Sequence, residues 1–255
     1  MQPLLNAVSL VTGSSRGIGR ATILELARAG SDVCITYLNS ARNAREVAEE
    51  VSRMGRRAVV VKADLSEADD VVALIDVVAC EFGRLDVLIS NAAGGGFTSL
   101  LGASRSQFDY AMRINVQALM LLAQHALPLF EKTALPRAKL VSVSSLGGTR
   151  ALSHYGLIGA AKGAVESMTR HLALELGPKG VNVNCVCAGL VMTGALRSHP
   201  QRESIVAAHR KRSLAGDDGI TPEDVADLIL FLCGPAADKI QGQTMVIDAG
   251  TSILA

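Results

Sequence analysis

Ala7-Val8-Ser9-Leu10-Val11-Thr12-Gly13-Ser14-Ser15-Arg16-Gly17-Ile18-Gly19 begins as an apolar run that reads as a buried strand and breaks into a glycine-rich turn. Glycine at 13, 17 and 19 allows a tight turn and lets a phosphate approach the backbone at a helix start. The helix that follows runs to about Gly30, and Asp32 to Tyr37 reads as the next strand. A glycine-rich turn alone says little. Set between a strand and a helix, with another strand behind it, it predicts a dinucleotide site; the bland alternative is a tight strand–helix turn without a ligand.

Outward from this turn, the end of the second strand would lie beside an adenosine ribose, where an acidic residue favours NAD. The chain reads Tyr37-Leu38-Asn39-Ser40-Ala41-Arg42 instead. Arg16 and Arg42 could each pair with a 2′-phosphate, which predicts NADPH; Arg42 could equally sit on the solvated face of a helix over 41–54. Ala58 to Lys62 is a third strand, ending at Asp64-Leu65. Asp64 could accept from an adenine amino group or belong to the turn, with Ser66 as N-cap of a helix to about Phe82. Asp86 to Ser90 is a fourth strand, followed by Asn91-Ala92-Ala93-Gly94-Gly95-Gly96. A helical stretch from about Gln107 to Lys132 contains Asn115, whose apolar neighbours favour a satisfied structural amide holding a water or a carbonyl. Lys139 to Ser144 is the fifth strand, Val181 to Val186 the sixth, and Thr244 to Ile247 the last. The sixth ends in Ala188-Gly189-Leu190-Val191-Met192-Thr193, another glycine turn. Six alternations and a closing strand predict one α/β domain over 1–255: a doubly wound, seven-stranded parallel sheet with helices on both faces. All the glycine turns then share the ligand-binding edge.

The fifth strand leads into Ser145-Leu146-Gly147-Gly148-Thr149-Arg150-Ala151-Leu152-Ser153-His154-Tyr155-Gly156-Leu157-Ile158-Gly159-Ala160-Ala161-Lys162 and a helix to about Gly177. On a helix, Tyr155 and Lys162, seven apart, share a face about 10 Å apart along the axis. Ile158, four before Lys162, cannot donate a proton, so a proton-donating site would use Tyr155. A nearby lysine cation would favour the phenolate and bring it toward working pH. Ser145 ends the strand, whereas its competitor Ser142 lies inside it. His154 is read as a surface residue of the turn, with an acid role as the alternative.

A net charge of +1 argues against a general nucleic-acid or membrane footprint. No apolar run reaches membrane-span length, and Met1-Gln2-Pro3-Leu4-Leu5-Asn6 does not resemble a signal peptide, so a cytoplasmic protein is expected. Cysteines at 34, 80, 185, 187 and 233 lack metal-type spacing and read as free, mostly buried thiols. Residues 194–220 look irregular with one short helix. Arg197, Arg202, Arg210, Lys211 and Arg212, with His199 and His209, make this segment basic. It is either a solvated face or a lid that meets a phosphate-bearing substrate carrier. Thr221-Pro222 starts a further helix, with threonine as N-cap and proline at the first position.

Together, Thr12 to Gly19, Asp64-Leu65, Asn91-Ala92-Ala93-Gly94, Asn115, Ser144-Ser145, the tyrosine–lysine pair and Asp248-Ala249-Gly250 resemble the short-chain dehydrogenase/reductase family. The resemblance spans essentially the whole chain and implies a Rossmann fold, a nicotinamide cofactor and a dimer or tetramer. It implies cofactor contacts from Gly13, Ser15, Arg16, Gly17, Ile18, Gly19, Tyr37, Arg42, Asp64, Leu65, Asn91, Ala92, Lys162, Gly189, Val191 and Thr193. The family's common pattern puts tyrosine four before lysine, where this chain has Ile158. The seven-residue spacing is most similar to the divergent third type of bacterial enoyl-acyl-carrier-protein reductase. That implies NADPH-dependent reduction of a 2-enoyl thioester carried on acyl-carrier protein or coenzyme A. Tyr155 would hold the enolate oxygen, Lys162 the nicotinamide ribose, and Ser145 the substrate or tyrosine, with Asn115 kept. Hydride enters the β-carbon of such a substrate, further from the oxygen than in a ketone, so a displaced donor suits it. The competing expectations are a ketone or alcohol oxidoreductase with Tyr155 swung into the usual place, and a non-catalytic dinucleotide-binding protein.

Overall fold

The computed structural model describes residues 2–194, 201–216 and 219–254. Seven parallel strands form one sheet: β1 (Val8–Val11), β2 (Asp32–Tyr37), β3 (Ala58–Lys62), β4 (Val87–Ser90), β5 (Ala138–Ser145), β6 (Val181–Ala188) and β7 (Thr244–Ile247). Their order is β3-β2-β1-β4-β5-β6-β7, a doubly wound parallel sheet of the kind the alternation of elements predicts. The helices are α1 (Gly17–Arg28), α2 (Ala41–Arg53), α3 (Ala68–Phe82), α4 (Arg105–Met112), α5 (Ala118–Phe130), α6 (Gly156–Leu176), α7 (Arg202–Arg212) and α8 (Pro222–Cys233).

Side-chain alternation along the strands divides the apolar interior into two cores. Val11, Val87, Ile89, Val141, Val143 and Val186 pack with α1, α2 and α8 on one face. Leu10, Leu88, Leu140, Val181 and Val183 pack with α3, α5 and α6 on the other. The order reverses on either side of β1, which pairs with β2 and with β4. The crevice at that reversal is where an open parallel sheet takes its ligand.

Three local features differ from the sequence reading. The third helix has Glu67 at its N-cap position and no side-chain cap; Ser66 donates its hydroxyl to Asp64 Oδ1 at 2.7 Å instead. The 107–132 helix is three pieces: α4, entered through a Ser104–Gln107 capping box, a π-turn over Arg113–Gln117, and α5. Tyr155 precedes α6 rather than lying in it. The 194–220 segment holds one helix among its described residues, α7, as read, while Arg197 and His199 lie outside the described residues. The Thr221 cap with Pro222 behind it forms as read, as a capping box with Asp224. Of the five free thiols, Cys80 is exposed and the others are buried.

Candidate active site

The turn after β1 is built by reciprocal bonds to its neighbours. Gly13 N donates to Thr36 Oγ1 at 2.8 Å, and Thr36 N donates to Ser14 Oγ at 2.9 Å. Thr12 Oγ1 accepts from Asn91 N and Ala92 N at 2.9 and 3.0 Å, and Asn91 Nδ2 donates to Thr12 O at 2.8 Å. Asn91 therefore ties the ends of β1 and β4 together. Gly13 and Gly17 adopt left-handed backbone, at φ +66° and +57°. Gly19 is required for a different reason: a Cβ there would overlap the Gly13 carbonyl and the Asn91 amide. Arg16 precedes α1 without a side-chain cap, and the first turn holds no acidic residue. The unpaired N–H groups of that turn thus face an anion-accepting cradle.

One cleft of about 1060 Å³ runs from this cradle to the 145–155 loop. Gly13, Ser15, Arg16, Gly17, Ile18, Tyr37, Leu65, Asn91, Ala92, Gly189, Val191 and Thr193 line it, with Ser145, Tyr155 and Lys162. Arg42 is not brought there. It is exposed and pairs with Glu46 at 2.9 Å, the solvated-face alternative. Asp64 is not among the lining residues, and its Oδ1 accepts from Ser66 N and Oγ, the turn alternative. Leu38, Asn39 and Ser40 line the space beyond Tyr37, a stretch from which sequence reading singled out only its two ends.

At the far end, the geometry separates the two serines. Ser142 is fully buried and shares a 2.8 Å hydrogen bond with Thr169 of α6. Ser145, the last residue of β5, lines the cleft and hydrogen-bonds the Tyr155 side chain. Tyr155 stands at the N-terminal boundary of α6, just after His154, whose φ of +57° turns the chain into the helix. Its ring lies against Gly147, where a Cβ would collide with ring atoms, and 6.0 Å from the Phe97 ring. His154 is exposed and meets Ser153 Oγ at 2.9 Å through Nδ1, as a turn residue. Ile158 is buried with its side chain against Gly95, so the position four before Lys162 faces the glycine loop and not the cleft.

Lys162 Nζ donates to Val143 O at 2.7 Å beneath the cleft. Burial pulls its pKa down to about 8, against an opposing pull from Cys185, Cys187 and Glu166. Burial also pushes the Tyr155 phenol up, opposed by the Ser145 hydrogen bond. The expectation that Lys162 draws the phenol down is therefore corrected: desolvation dominates both groups, and the phenol stays neutral at ordinary pH. Asn115, in the π-turn, donates from Nδ2 to Gly94 O and Ala111 O, each at 2.8 Å. Its Oδ1 is buried with no protein partner, so the amide is half structural clamp and half open acceptor.

Phe97, Tyr110, Arg150, Leu152 and, from α7, Ile205, Ala208, His209 and Arg212 also line the cleft. Sequence reading did not single out Phe97 or Tyr110, which follow the glycine loop at distances no pattern marks. Among the described residues, no group of three His, Cys, Asp or Glu side chains could hold a metal, and no helix is long and apolar enough to cross a membrane.

A family model described as enoyl-(acyl carrier protein) reductase matches residues 13–252. The chain is 38% identical over 250 residues to the 1-cyclohexenylcarbonyl-CoA reductase of Streptomyces collinus, covering 97% of this chain and 88% of that one. It is 33% identical over 252 residues to a hydroxynaphthalene reductase of Aspergillus fumigatus, covering 94% and 90%. The crystal structure of a short-chain dehydrogenase from Burkholderia cenocepacia in complex with NADP superposes with a TM-score of 0.89 at 34% identity, over 98% of this chain and 99% of that one.

Proposed function

The chain belongs to the short-chain dehydrogenase/reductase family, and from that premise we propose that it reduces the carbon–carbon double bond of a 2-enoyl thioester with NADPH. The observation that carries this reading is the pairing of Ile158, turned away from the cleft, with Tyr155 and Ser145 inside it. The donor of this site sits seven residues before Lys162, a displacement that suits a thioester oxygen two carbons from the carbon that takes the hydride. The similarity to a reductase named for a cyclohexenylcarbonyl thioester of coenzyme A points the same way.

The cleft fits a dinucleotide on its own terms: an uncapped helix start, a lining turn with Gly13 and Gly17 in left-handed backbone, and no carboxylate among the described lining residues. Gly13 to Gly19 and Asn91 would hold its diphosphate side, Tyr37 to Ser40 its adenosine, and Lys162 its nicotinamide ribose hydroxyls. Arg16, with no acidic residue at the end of β2, favours the phosphorylated form. A bound nicotinamide supplies the hydride for the β-carbon. Tyr155, kept neutral by burial, donates its O–H to the thioester oxygen as charge develops there. Ser145 orients that O–H. Helix α7 acts as the described part of a substrate lid, contributing Ile205, Ala208, His209 and Arg212.

A ketone reductase is the second reading, favoured by the similarity to a hydroxynaphthalene reductase. NADPH oxidation with crotonyl and acetoacetyl thioesters of coenzyme A, and NADH as control, decides between them. Turnover of crotonyl thioester with acetoacetyl turnover negligible supports enoyl reduction. The reverse result overturns it, and faster turnover with NADH removes the NADPH assignment.

A further inference from the structure

Two arginines on the substrate side of the cleft are occupied by nothing of opposite charge among the described residues. Arg150 lies in the loop between Ser145 and Tyr155, and Arg212 ends α7. Both line the cleft with their cofactor-side counterpart Arg16, and no Asp or Glu does so among the described residues. No ion pair to a described carboxylate involves either arginine. Each guanidinium instead donates to a backbone carbonyl of the C-terminal segment: Arg150 Nη2 to Ser252 O, and Arg212 Nη2 to Leu254 O at 2.7 Å. Those two carbonyls belong to residues two apart, whose Cα atoms are at most about 7 Å from one another. The arginines therefore converge from separate elements on one short piece of chain.

That piece is held in place from behind. Asp248 accepts from Gly250 N at 2.9 Å, Ser252 N at 2.7 Å and Thr251 Oγ1 at 3.3 Å, and Leu214 N donates to Ala249 O at 2.8 Å. A neutral carbonyl is a weaker partner for a guanidinium than a phosphate, which accepts in a bidentate, charge-assisted manner. A substrate carrying a phosphate would exchange with the tail carbonyls without leaving either arginine unbonded.

We propose that Arg150 and Arg212 form an anion site for the phosphate of a phosphopantetheine-type thioester, taking it in exchange for the Ser252 and Leu254 carbonyls. This rests on the enoyl-thioester reading and adds its carrier chemistry. The cofactor's diphosphate has its own cradle at the start of α1, built by Gly13, Gly17 and the uncapped helix end.

The test compares crotonyl thioesters of pantetheine, 4′-phosphopantetheine and coenzyme A at saturating NADPH, for the wild type, Arg150→Ala, Arg212→Ala and the double variant. Both side chains are at the surface, and thermal melts verify the fold of each variant. The ratio of kcat/KM for coenzyme A thioester to that for pantetheine thioester is expected to fall about tenfold or more in the double variant, chiefly through KM. A fall shared by the phosphopantetheine thioester assigns the 4′-phosphate, which a carrier protein also presents; a fall confined to coenzyme A assigns the adenosine phosphates. A ratio unchanged within about twofold overturns the proposal. Should the wild type reduce none of the three, the enoyl reading fails, and calorimetric binding of unacylated coenzyme A and pantetheine to the NADP-loaded protein takes over. Preference for coenzyme A that is lost in the double variant retains the anion site; equal binding of the two by the wild type removes it.

Discussion

Tyr155 is held by three unlike contacts: a hydrogen bond from Ser145, an aromatic neighbour in Phe97, and the bare backbone of Gly147 under its ring. Tyr155→Phe keeps the last two and removes the donor. Its kcat with crotonyl thioester is expected to drop about 100-fold or more, while NADPH affinity, read by fluorescence titration, stays within about twofold. Full activity in this variant would exclude Tyr155 from the chemistry. Lys162 makes a second, independent test. With its pKa lowered to about 8, it carries charge below that pH and loses it above. Because kcat/KM reports groups of the free enzyme, kcat/KM for NADPH is expected to fall as pH rises through about 8, and the Lys162→Met variant to lack that limb. The sequence made the Tyr155–Lys162 spacing legible but not the conformation that uses it. A non-glycine residue in left-handed backbone, here His154, is uncommon, and although histidine tolerates that region better than most, no sequence pattern marks the position. Arg42 was ambiguous although its Glu46 partner stands four residues on, the spacing of an exposed helical pair.

Among elements, the start of β1 is tied to β4 and to the end of α5 by one buried carboxylate. Asp86 accepts from Val8 N at 2.7 Å, Thr133 Oγ1 at 2.6 Å, Ala134 N at 2.5 Å and Arg84 Nε at 3.1 Å. Asp86→Ala leaves buried donors without an acceptor and is expected to cost about 3 kcal/mol or more, seen as a lower urea midpoint. A loss below about 1 kcal/mol would mean water replaces the carboxylate without penalty. Strands were legible because their apolar runs stop at glycine turns: all seven appear in place, β2, β3 and β7 at the expected ends and the others shifted by one or two residues. The π-turn at Arg113–Gln117 was not, since one widened turn leaves the apolar spacing of the flanking helices intact. That turn is what delivers the Asn115 amide to Gly94. Helix α7 was legible only as one short helix without bounds: no residue of it is buried, so it carries no apolar stripe to read.

The whole molecule has an alkaline weakness. Burial pushes the thiols of Cys34 and Cys233 up to about 12 and that of Cys185 to about 11, from an ordinary value of 9.0. A folded-state pKa above the unfolded one means that the unfolded chain releases these protons first, so stability is lost as pH rises above 9.0. Lys162 works oppositely between about 8 and 10.5, because its amine is more readily neutral when folded. Three thiols outweigh one amine, so the urea midpoint is expected to fall between pH 9.5 and 11, at up to about 1.4 kcal/mol per pH unit for each thiol. Cys34→Ala with Cys233→Ala should flatten the slope, and an unchanged slope would point to other groups. The position of β1 between β2 and β4 has a further consequence, for assembly in time. Its partner in β4 lies 77 residues downstream at the Thr12–Ile89 contact, so a chain emerging from synthesis holds β1 with one hydrogen-bonding edge bare until β4, beyond α3, has been made. Such long-range parallel pairing slows folding and exposes that edge to stray strands. The nucleotide cradle, which needs Asn91 across the same gap, exists only after the pairing is complete, so a dinucleotide would reward the finished fold and leave its precursors unassisted.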